Sequence, residues 1–420
     1  MHRTIAFLGI TAVVIGNTSL VWSMPSGSLV AQATDFYDVY TQGIQKLDAK
    51  DFEGAIALFN QVIEAKPRYA EGYLYRGLAR QGAGDFMGAL ADFKEMLRLD
   101  PSFGEPTHSV ERHPRLNSVY EILTTARTQY FTEVIEQNPN DAQAYFYRGL
   151  AHKYSDQQQA IADFTSVIRL QPENAKAYFQ RALIQQQSDL NKALADLNEA
   201  LRYDPNYPEA YLQRAIIYVQ TGKETQALAD LDTSISANPG LADAYLVRMG
   251  IRSRQGDIEG AIADLTWAIR LKPENAAQLY TTKAELHLQL KDTAAALADY
   301  TEAIRLAPDI TTYTDGRFAS YNAYGLRAKL RYELGDYQGA IADYTDLIRV
   351  VPSGSAFDGA VNSSDIWADA YYKRAEAHLK LGDQQSALED YRQAAKYFGE
   401  RGWMTDNYKR ALEQIEQLSR

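Results

Sequence analysis

The sequence predicts an all-α solenoid of about nine clear helix–turn–helix units, with one degenerate unit and a closing helix. Strings such as "GALADFKEMLRLDP" from Gly88 recur, for example as "GAIADLTWAIRLKP" from Gly260 and "GAIADYTDLIRVVP" from Gly339. Each string places apolar residues with the period of an α-helix. Each ends in a proline, and most of these prolines lie 33 to 35 residues apart. A period of this length is typical of stacked two-helix repeats.

The first 33 residues differ from the repeats. Arg3 precedes an apolar run from Ile5 to Ile15, and "AQA" at 31–33 has the small-residue pattern that a signal peptidase reads. We expect a signal peptide that is cleaved after Ala33, which would make the protein an exported one. An N-terminal anchor that is not cleaved is the alternative.

The composition narrows the classes of function. The chain has 420 residues and a formal net charge of −11, whereas binding to nucleic acid needs a concentrated positive surface. It has no cysteine, which excludes disulfides, thiolate metal sites and a cysteine nucleophile. We therefore expect an ordinary soluble protein with no nucleic-acid partner.

One unit, residues 321–352, illustrates the pattern. Ala328 lies on a first helix, and Gly335 begins a turn, because glycine accepts backbone angles that other residues resist. Ala340 and Tyr344 then lie four residues apart on the second helix, on the face that packs. A small residue allows two helices to cross closely, and the bulky residue four positions later fills the space between units.

Both positions recur along the chain. The small residues are Ala55, Ala89, Ala160, Ala193, Ala227, Ala261, Ala296, Ala340 and Ala387. The bulky residues are Phe59, Phe93, Phe164, Leu197, Leu231, Leu265, Tyr300, Tyr344 and Tyr391.

These positions divide the chain in order. After the segment 1–33 we predict two units over 36–101, a degenerate unit over 102–139, further units over 142–308, an insertion at 309–320, a unit at 321–352, an insertion at 353–367, the last unit at 368–401 and a capping helix at 402–420. The degenerate unit has Arg127 where a small residue is expected, and Pro106 and Pro114 interrupt its first helix. The insertions lengthen loops, and their composition suggests no chemistry.

The period and the positions of these residues resemble the tetratricopeptide repeat family. The resemblance covers most of the chain and implies a right-handed superhelix. Proteins of this family with signal sequences are widespread in bacteria, notably cyanobacteria. An exported member would lie in the periplasm, or in the thylakoid lumen of a cyanobacterium.

Two series of charged residues accompany the repeats. A base lies before the small residue of most first helices, and an aspartate lies before the bulky residue of the second helix in the same eight units. The first unit has Gln42 and Leu58 instead. We expect each base to pair with the aspartate of its own unit, and a row of anion-binding bases is the alternative. The predicted pairs are Arg76 and Asp92, Arg148 and Asp163, Arg181 and Asp196, Arg214 and Asp230, Arg248 and Asp264, Lys283 and Asp299, Arg327 and Asp343, and Arg374 and Asp390.

The resemblance also implies a partner-binding groove, because first helices line the concave surface of such arrays. The matching positions here are Tyr37, Tyr40, Ile44, Leu74, Leu78, Phe146, Leu150, Tyr154, Phe179, Leu183, Leu212 and Ile216. Further along the chain they become polar, with Glu285 and Lys329 among them. A contiguous apolar groove is typical of a surface for a peptide or protein. Tight packing of these residues against neighbouring units is the alternative.

Little in the sequence indicates catalysis. Only His108 and His113, with Glu111 between them, bring possible metal ligands close together, and this short cluster is weak evidence for a metal. The chain has no H-E-x-x-H zinc motif, phosphate-binding loop or nucleophile elbow. We expect neither an enzyme nor a cofactor. Some co-chaperones of the family hold the C-terminal carboxylate of a heat-shock protein with lysine and asparagine, but the matching places here hold apolar side chains or glutamine.

We therefore expect a non-enzymatic scaffold that binds a protein or peptide on the concave surface. By analogy with exported members of the family, it would take part in the assembly of an envelope or membrane complex. A chaperone-like holder of unfolded or secreted clients is the alternative. A carbohydrate-interacting module is a third hypothesis, suggested only by the 29 tyrosines.

Overall fold

The structure is a computed structural model in which residues 28–104, 120–307, 319–351, 356–357, 361–400 and 405–420 are described. The chain divides into two compact parts, Met1–Pro172 and Glu173–Arg420, called unit 1 and unit 2 below. The word unit without such a number continues to mean one helix–turn–helix repeat. Several features of the sequence prediction lie outside the described residues. They are most of the predicted signal segment, the histidine cluster, Pro106 and Pro114, most of the insertion 309–320, and Pro352.

Unit 1 is helical in its described residues. Its elements are α1 Ser28–Asp48, α2 Phe52–Ala65, α3 Ala70–Gly82, α4 Phe86–Leu99, a 3-10 helix Pro101–Gly104, α5 Tyr120–Gln137, α6 Ala142–His152 and α7 Gln157–Leu170. The first helix starts at Ser28, so the predicted cleavage point after Ala33 falls inside α1.

Unit 2 continues the pattern of helix pairs. Its elements are α8 Ala175–Gln185, α9 Leu190–Tyr203, α10 Pro208–Gln220, α11 Glu224–Ala237, α12 Ala242–Gln255, α13 Ile258–Leu271, a 3-10 helix Pro273–Asn275, α14 Ala276–Gln289, α15 Thr293–Leu306, α16 Ala319–Glu333, α17 Tyr337–Val350, β1 Ala356–Phe357, β2 Val361–Asn362, α18 Ser363–Lys380, α19 Gln384–Glu400 and α20 Asp406–Leu418.

The predicted small and bulky residues form the core of the helix pairs. All nine alanines at the small position are fully buried, and the nine bulky residues are buried as well. Each first helix packs against the second helix that follows it, and α20 packs against α19 with Ala411 buried. The described residues therefore confirm the predicted all-α architecture.

The turns inside the helix pairs follow the predicted chemistry. Gly335 has φ +83°, in the left-handed region that glycine adopts without strain. Asp336 then precedes α17 and accepts a hydrogen bond from the Gly339 amide at 2.9 Å, which satisfies an N–H group that the helix itself leaves unpaired. The same cap opens α2, α4, α7, α9, α13, α15 and α19.

Two of these turns use lysine where others use glycine. Lys291 has φ +60° between α14 and α15, and Lys50 has φ +61° between α1 and α2. A side chain costs about 1 kcal/mol in this region because the Cβ approaches the carbonyl oxygen. We expect Lys291→Gly to raise the free energy of unfolding by up to about 1 kcal/mol. Denaturant titration would check this, and Gly382→Lys at the matching turn (φ +81°) should lower stability by a similar amount.

The degenerate unit keeps its second helix. Phe131 on α5 is buried, as the pattern predicts, and Arg127 is also buried. The Arg127 guanidinium donates hydrogen bonds to the Phe103 carbonyl at 3.1 Å (Nε) and 2.8 Å (Nη2). Arg127 is thus part of the core, bound to the 3-10 helix at 101–104.

The second predicted insertion is shorter than expected. Four of its described residues form a small antiparallel pair, β1 and β2, and α18 begins at Ser363, before the predicted end at 367. Trp367 belongs to that helix and donates from its indole nitrogen to the Ile348 carbonyl at 3.1 Å. The extra turn of α18 therefore packs against α17 instead of extending a loop.

Within the described parts of the chain, no helix has the length and apolar character that a membrane span requires.

Candidate partner-binding surface

The bases and aspartates of the two predicted series form an ion pair in every one of the eight units. The shortest N–O distance is 2.6 to 2.7 Å in the seven pairs with arginine and 3.2 Å between Lys283 and Asp299. Each arginine donates from both Nε and Nη2 to its aspartate, as Arg214 does to Asp230. These two-point contacts join the two helices of a unit with a fixed geometry.

The aspartates are buried and the arginines are nearly so. Asp264 on α13 has 2% of its side chain exposed, and Arg248 on α12 has 14%. The hydrogen bonds to Asp163 hold the pKa of Arg148 above its usual value, and those to Asp230 do the same for Arg214. A charged pair that is this well formed is much more costly to break than an exposed pair.

The remaining guanidinium nitrogen, Nη1, often reaches the second helix of the preceding unit. It donates to Asn60 from Arg76, to Thr132 from Arg148, to Asn198 from Arg214, to Asp232 from Arg248, to Thr301 from Arg327 and to Thr345 from Arg374, at 2.6 to 3.2 Å. One arginine therefore connects three helices and fixes the stacking of one unit on the next.

Sequence reasoning missed a second cation that contacts the same aspartate. It lies four residues after the first base, on the same helix face. Arg80 contacts Asp92 at 2.8 Å, Arg252 contacts Asp264 at 3.1 Å, Arg331 contacts Asp343 at 3.0 Å, and His287 contacts Asp299 at 2.7 Å. The signal was present, because a basic residue or a histidine recurs four positions after the base in these units.

Aromatic rings complete the surroundings of the bases. In seven units the cation lies 5.2 to 5.8 Å from the ring centre of a tyrosine one helical turn earlier: Tyr73, Tyr145, Tyr178, Tyr211, Tyr245, Tyr280 and Tyr371. Such contacts favour a partly desolvated cation. These bases thus contact a carboxylate, and most of them also contact a neighbouring helix and an aromatic ring. The geometry therefore favours a structural role for the bases over an anion-binding row.

The twelve predicted groove residues do not share one environment. Tyr37 and Tyr154 are exposed, at 63% and 70%. Six are half-buried: Tyr40, Ile44, Leu78, Phe146, Leu183 and Ile216. Four are buried and are available to no partner: Leu74, Leu150, Phe179 and Leu212.

The four buried residues correct the predicted groove. Leu212 belongs to a core cluster with Ala215 and Leu231, and the Phe179 ring lies 4.8 Å from the ring of Tyr207. Repeat spacing places a residue on a helix face but does not say how far the neighbouring helix covers that face. For these four positions the packing alternative is therefore the right one.

An aromatic cluster occupies the first units. Phe36, Tyr40, Tyr69 and Tyr75 contact one another with ring centres 5.5 to 5.9 Å apart. Tyr40 donates to a Glu71 carboxylate oxygen at 3.1 Å, and Tyr69 donates to the same oxygen. Burial raises the pKa of both phenols, and the nearby Glu71 carboxylate adds to the effect. The half-buried Tyr40 is therefore fixed in place by a hydrogen bond and by its ring contacts.

The polar positions of unit 2 differ in exposure. Glu285 and Lys329 are exposed and Glu376 is half-buried. Burial raises the pKa of Tyr300 to about 12, with a smaller contribution from the Glu285 carboxylate. Among the described residues, no group of three or more histidine, aspartate or glutamate side chains is placed to hold a metal ion.

Comparison with protein families identifies the repeats. Residues 40–102, 180–252, 251–309 and 326–402, together more than half of the chain, match two family models that are both described as tetratricopeptide repeat. Comparison with curated protein sequences gave no match.

Several solved structures are similar. The structure of YrrB, described as a tetratricopeptide repeat protein with an unusual peptide-binding site, is 19% identical, covers 43% of this chain and 94% of its own, and gives a TM-score of 0.37. Yeast Tom70 is 16% identical over 91% of this chain and 88% of its own, with a TM-score of 0.38. PilF of Pseudomonas aeruginosa is 17% identical over 58% of this chain and 98% of its own, also with a TM-score of 0.38.

Proposed function

Because the chain belongs to the tetratricopeptide repeat family, we propose that it is a non-enzymatic scaffold that binds a segment of a partner protein on its first helices. Members of this family are in general protein-interaction scaffolds and are typically not enzymes. The ion-pair network supports the proposal, because it fixes eight of the helix pairs without using the exposed side chains. A scaffold needs such rigidity to present a surface at low entropic cost.

The observation that carries the proposal is the exposure of individual aromatic side chains in unit 1. Tyr37 on α1 and Tyr154 just after α6 are exposed, and Phe146 on α6 is half-buried. Tyrosine supplies apolar contact area together with a hydroxyl for hydrogen bonding, which is why it is frequent where proteins meet. The partner segment would therefore present apolar side chains to these rings.

In-cell photocrosslinking tests the proposal. A photoreactive phenylalanine analogue placed at Tyr154 should capture one dominant protein, because the side chain is exposed and its replacement leaves the core unchanged. The same analogue at Phe86, which is exposed on the second helix α4, serves as the matched control. The Tyr154 product should decrease when Tyr37 is changed to aspartate.

The other outcomes are decisive as well. A smear of many products from Tyr154 would favour the chaperone-like holder. Efficient capture from Phe86 with none from Tyr154 would contradict binding on the first helices. Phe179 is unsuitable as a crosslinking position, since it is buried.

The proposal extends to location. We propose export by a cleaved signal peptide and a role in assembling an envelope or membrane complex, on the pattern of residues 1–33 described above. N-terminal sequencing of the protein from its own cells, after separation of membrane and soluble fractions, would test the cleavage and the export. A chain that starts at Met1 in the cytosolic fraction would contradict the export proposal.

A further inference from the structure

Helix α14 is held less firmly than the first helices on either side of it. Its paired base is Lys283, whereas α12 has Arg248 and α16 has Arg327 at the same position. Each arginine donates to its aspartate from both Nε and Nη2, but the Lys283 ammonium makes a single contact with Asp299, at 3.2 Å. An ammonium is a point charge and cannot reproduce the two parallel hydrogen bonds of a guanidinium. The pairing of α14 with α15 is therefore weaker than that of the neighbouring helix pairs.

The arginines of the neighbouring units also hold the unit before them. Arg248 donates from Nη1 to Asp232 on α11 at 2.6 Å. Arg327 donates from Nη1 to Thr301 on α15 at 2.9 Å. In both cases the acceptor is the residue that follows the bulky one on the preceding second helix. One side chain thus fixes each of these junctions between units.

The junction between α13 and α14 lacks this contact. The matching acceptor is present, because Thr266 follows the bulky Leu265 on α13. Its hydroxyl donates to the Ile262 carbonyl within its own helix and can still accept a hydrogen bond. Among the described residues, however, the Lys283 ammonium donates only to Asp299. The base of α14 therefore leaves α13 uncontacted, although α13 carries the acceptor for an arginine.

Three further features make α14 easier to displace. The second contact of Asp299 comes from His287, at 2.7 Å, and histidine, unlike arginine, is not fully charged at neutral pH. The turn after α14 has Lys291 at φ +60°, where glycine would be free of strain. The side-chain oxygen of Gln278 on α14 is buried without a hydrogen-bond partner, which is unfavourable until water reaches it.

We propose that the junction between α13 and α14 is a hinge within unit 2, at which the helix pairs from α14 onward move relative to those before it. Lys283 is the residue that creates the hinge, because an arginine there would hold both Asp299 and Thr266. Stacked repeats contact only their neighbours, so more distant units do not compensate for a weak junction. Movement at the hinge would change the spacing between the first helices α12 and α14. The inference goes beyond the proposed function and does not depend on the partner.

Hydrogen exchange of the full chain is the first test. The amides of α14 should exchange faster than those of α12 and α16, because a weakly held helix opens more often. Lys283→Arg should slow the exchange of α14 about tenfold, since it adds charge-assisted hydrogen bonds to both neighbouring helices. Adding Thr266→Val should remove part of this gain, because valine cannot accept a hydrogen bond. Lys329→Arg changes an exposed lysine of α16 and should leave α14 as it is.

Distances between spin labels test whether the weak junction acts as a hinge. The chain has no cysteine, so two introduced cysteines can carry the labels. Asn191, Glu259 and Gln338 are exposed, and each is the second residue of its helix, in α9, α13 and α17. Labels at 259 and 338 span the hinge, while labels at 191 and 259 span two units without it. We expect a broader distance distribution for the first pair, and Lys283→Arg should narrow it.

The opposite results would overturn the proposal. They are equal widths for the two label pairs, a width that Lys283→Arg leaves unchanged, or exchange in α14 as slow as in α12 and α16. The span from 259 to 338 includes the insertion 309–320, so the response to Lys283→Arg is what assigns the width to the hinge. Neither measurement involves Tyr154, and failure of the hinge is therefore distinct from failure of the crosslinking.

Discussion

Replacing Asp264 with alanine is expected to lower the local stability of α12 and α13 by about 3 kcal/mol. The variant leaves Arg248 and Arg252 without the carboxylate that both contact, at 2.6 and 3.1 Å. Breaking a buried ion pair from one side costs about 3 to 5 kcal/mol. The lower end applies because Arg252 keeps 28% of its side chain exposed. Hydrogen exchange of the amides in these two helices measures the change directly.

The effect should also be local. Repeat arrays are stabilised by each unit and its nearest neighbours, so the amides of α3 and α4 should keep their protection. Glu259→Ala is the matched control, because it removes an exposed carboxylate from the same helix, α13. Arg374→Ala removes the base of a pair instead of its aspartate. It should lower the free energy of unfolding by less than Asp264→Ala does, since His378 remains 3.8 Å from Asp390. A loss spread evenly over the chain, or no loss in α12, would contradict the structural role of the network.

The fold was predictable because its chemistry repeats. Gly335 and Asp336 define a turn, while Ala340 and Tyr344 define a packed helix face, and these signals depend only on residues close in sequence. The pairing of Arg327 with Asp343 could be inferred in the same way, because two series that occur in the same units indicate contact. None of these inferences required knowledge of distant residues.

The remaining features depend on neighbours that the pattern does not specify. The hydrogen bonds from Arg127 to Phe103 join residues 24 positions apart, so the sequence showed only a missing alanine. The burial of Leu150 and Leu212 depends on how far the adjacent helix covers them.

Gly77→Ala is expected to destabilise unit 1 by about 2 kcal/mol, although alanine favours a helix by about 1 kcal/mol over glycine. A Cβ atom on Gly77 would lie 2.6 Å from Cε1 of Phe93, too close for two carbon atoms. Phe93 is fully buried, so its ring has little room to move. Thermal and denaturant unfolding of the full chain would measure the loss.

The size of Phe93 supplies the matched rescue. Gly43 and Gly149 likewise face Phe59 and Phe164, whereas units with Leu197 and Leu231 have Ala182 and Ala215 at the glycine position, and the tyrosine units also have alanine there. We therefore expect Gly77→Ala combined with Phe93→Leu to be at least about 1 kcal/mol more stable than the sum of the two single changes predicts.

A second glycine separates the steric effect from helix propensity. Gly250 also lies inside a first helix, α12, but a Cβ there would meet only Arg254 Nη1, at 3.8 Å. Gly250→Ala should therefore stabilise the protein by up to about 1 kcal/mol. If Gly77→Ala instead stabilised the chain, as we expect for Gly250→Ala, the explanation would be wrong. The close contact with phenylalanine would then not be the reason for glycine in these units. Lower stability of Gly77→Ala together with higher stability of Gly250→Ala would show that contact with the Phe93 ring, rather than helix propensity, determines the effect at position 77.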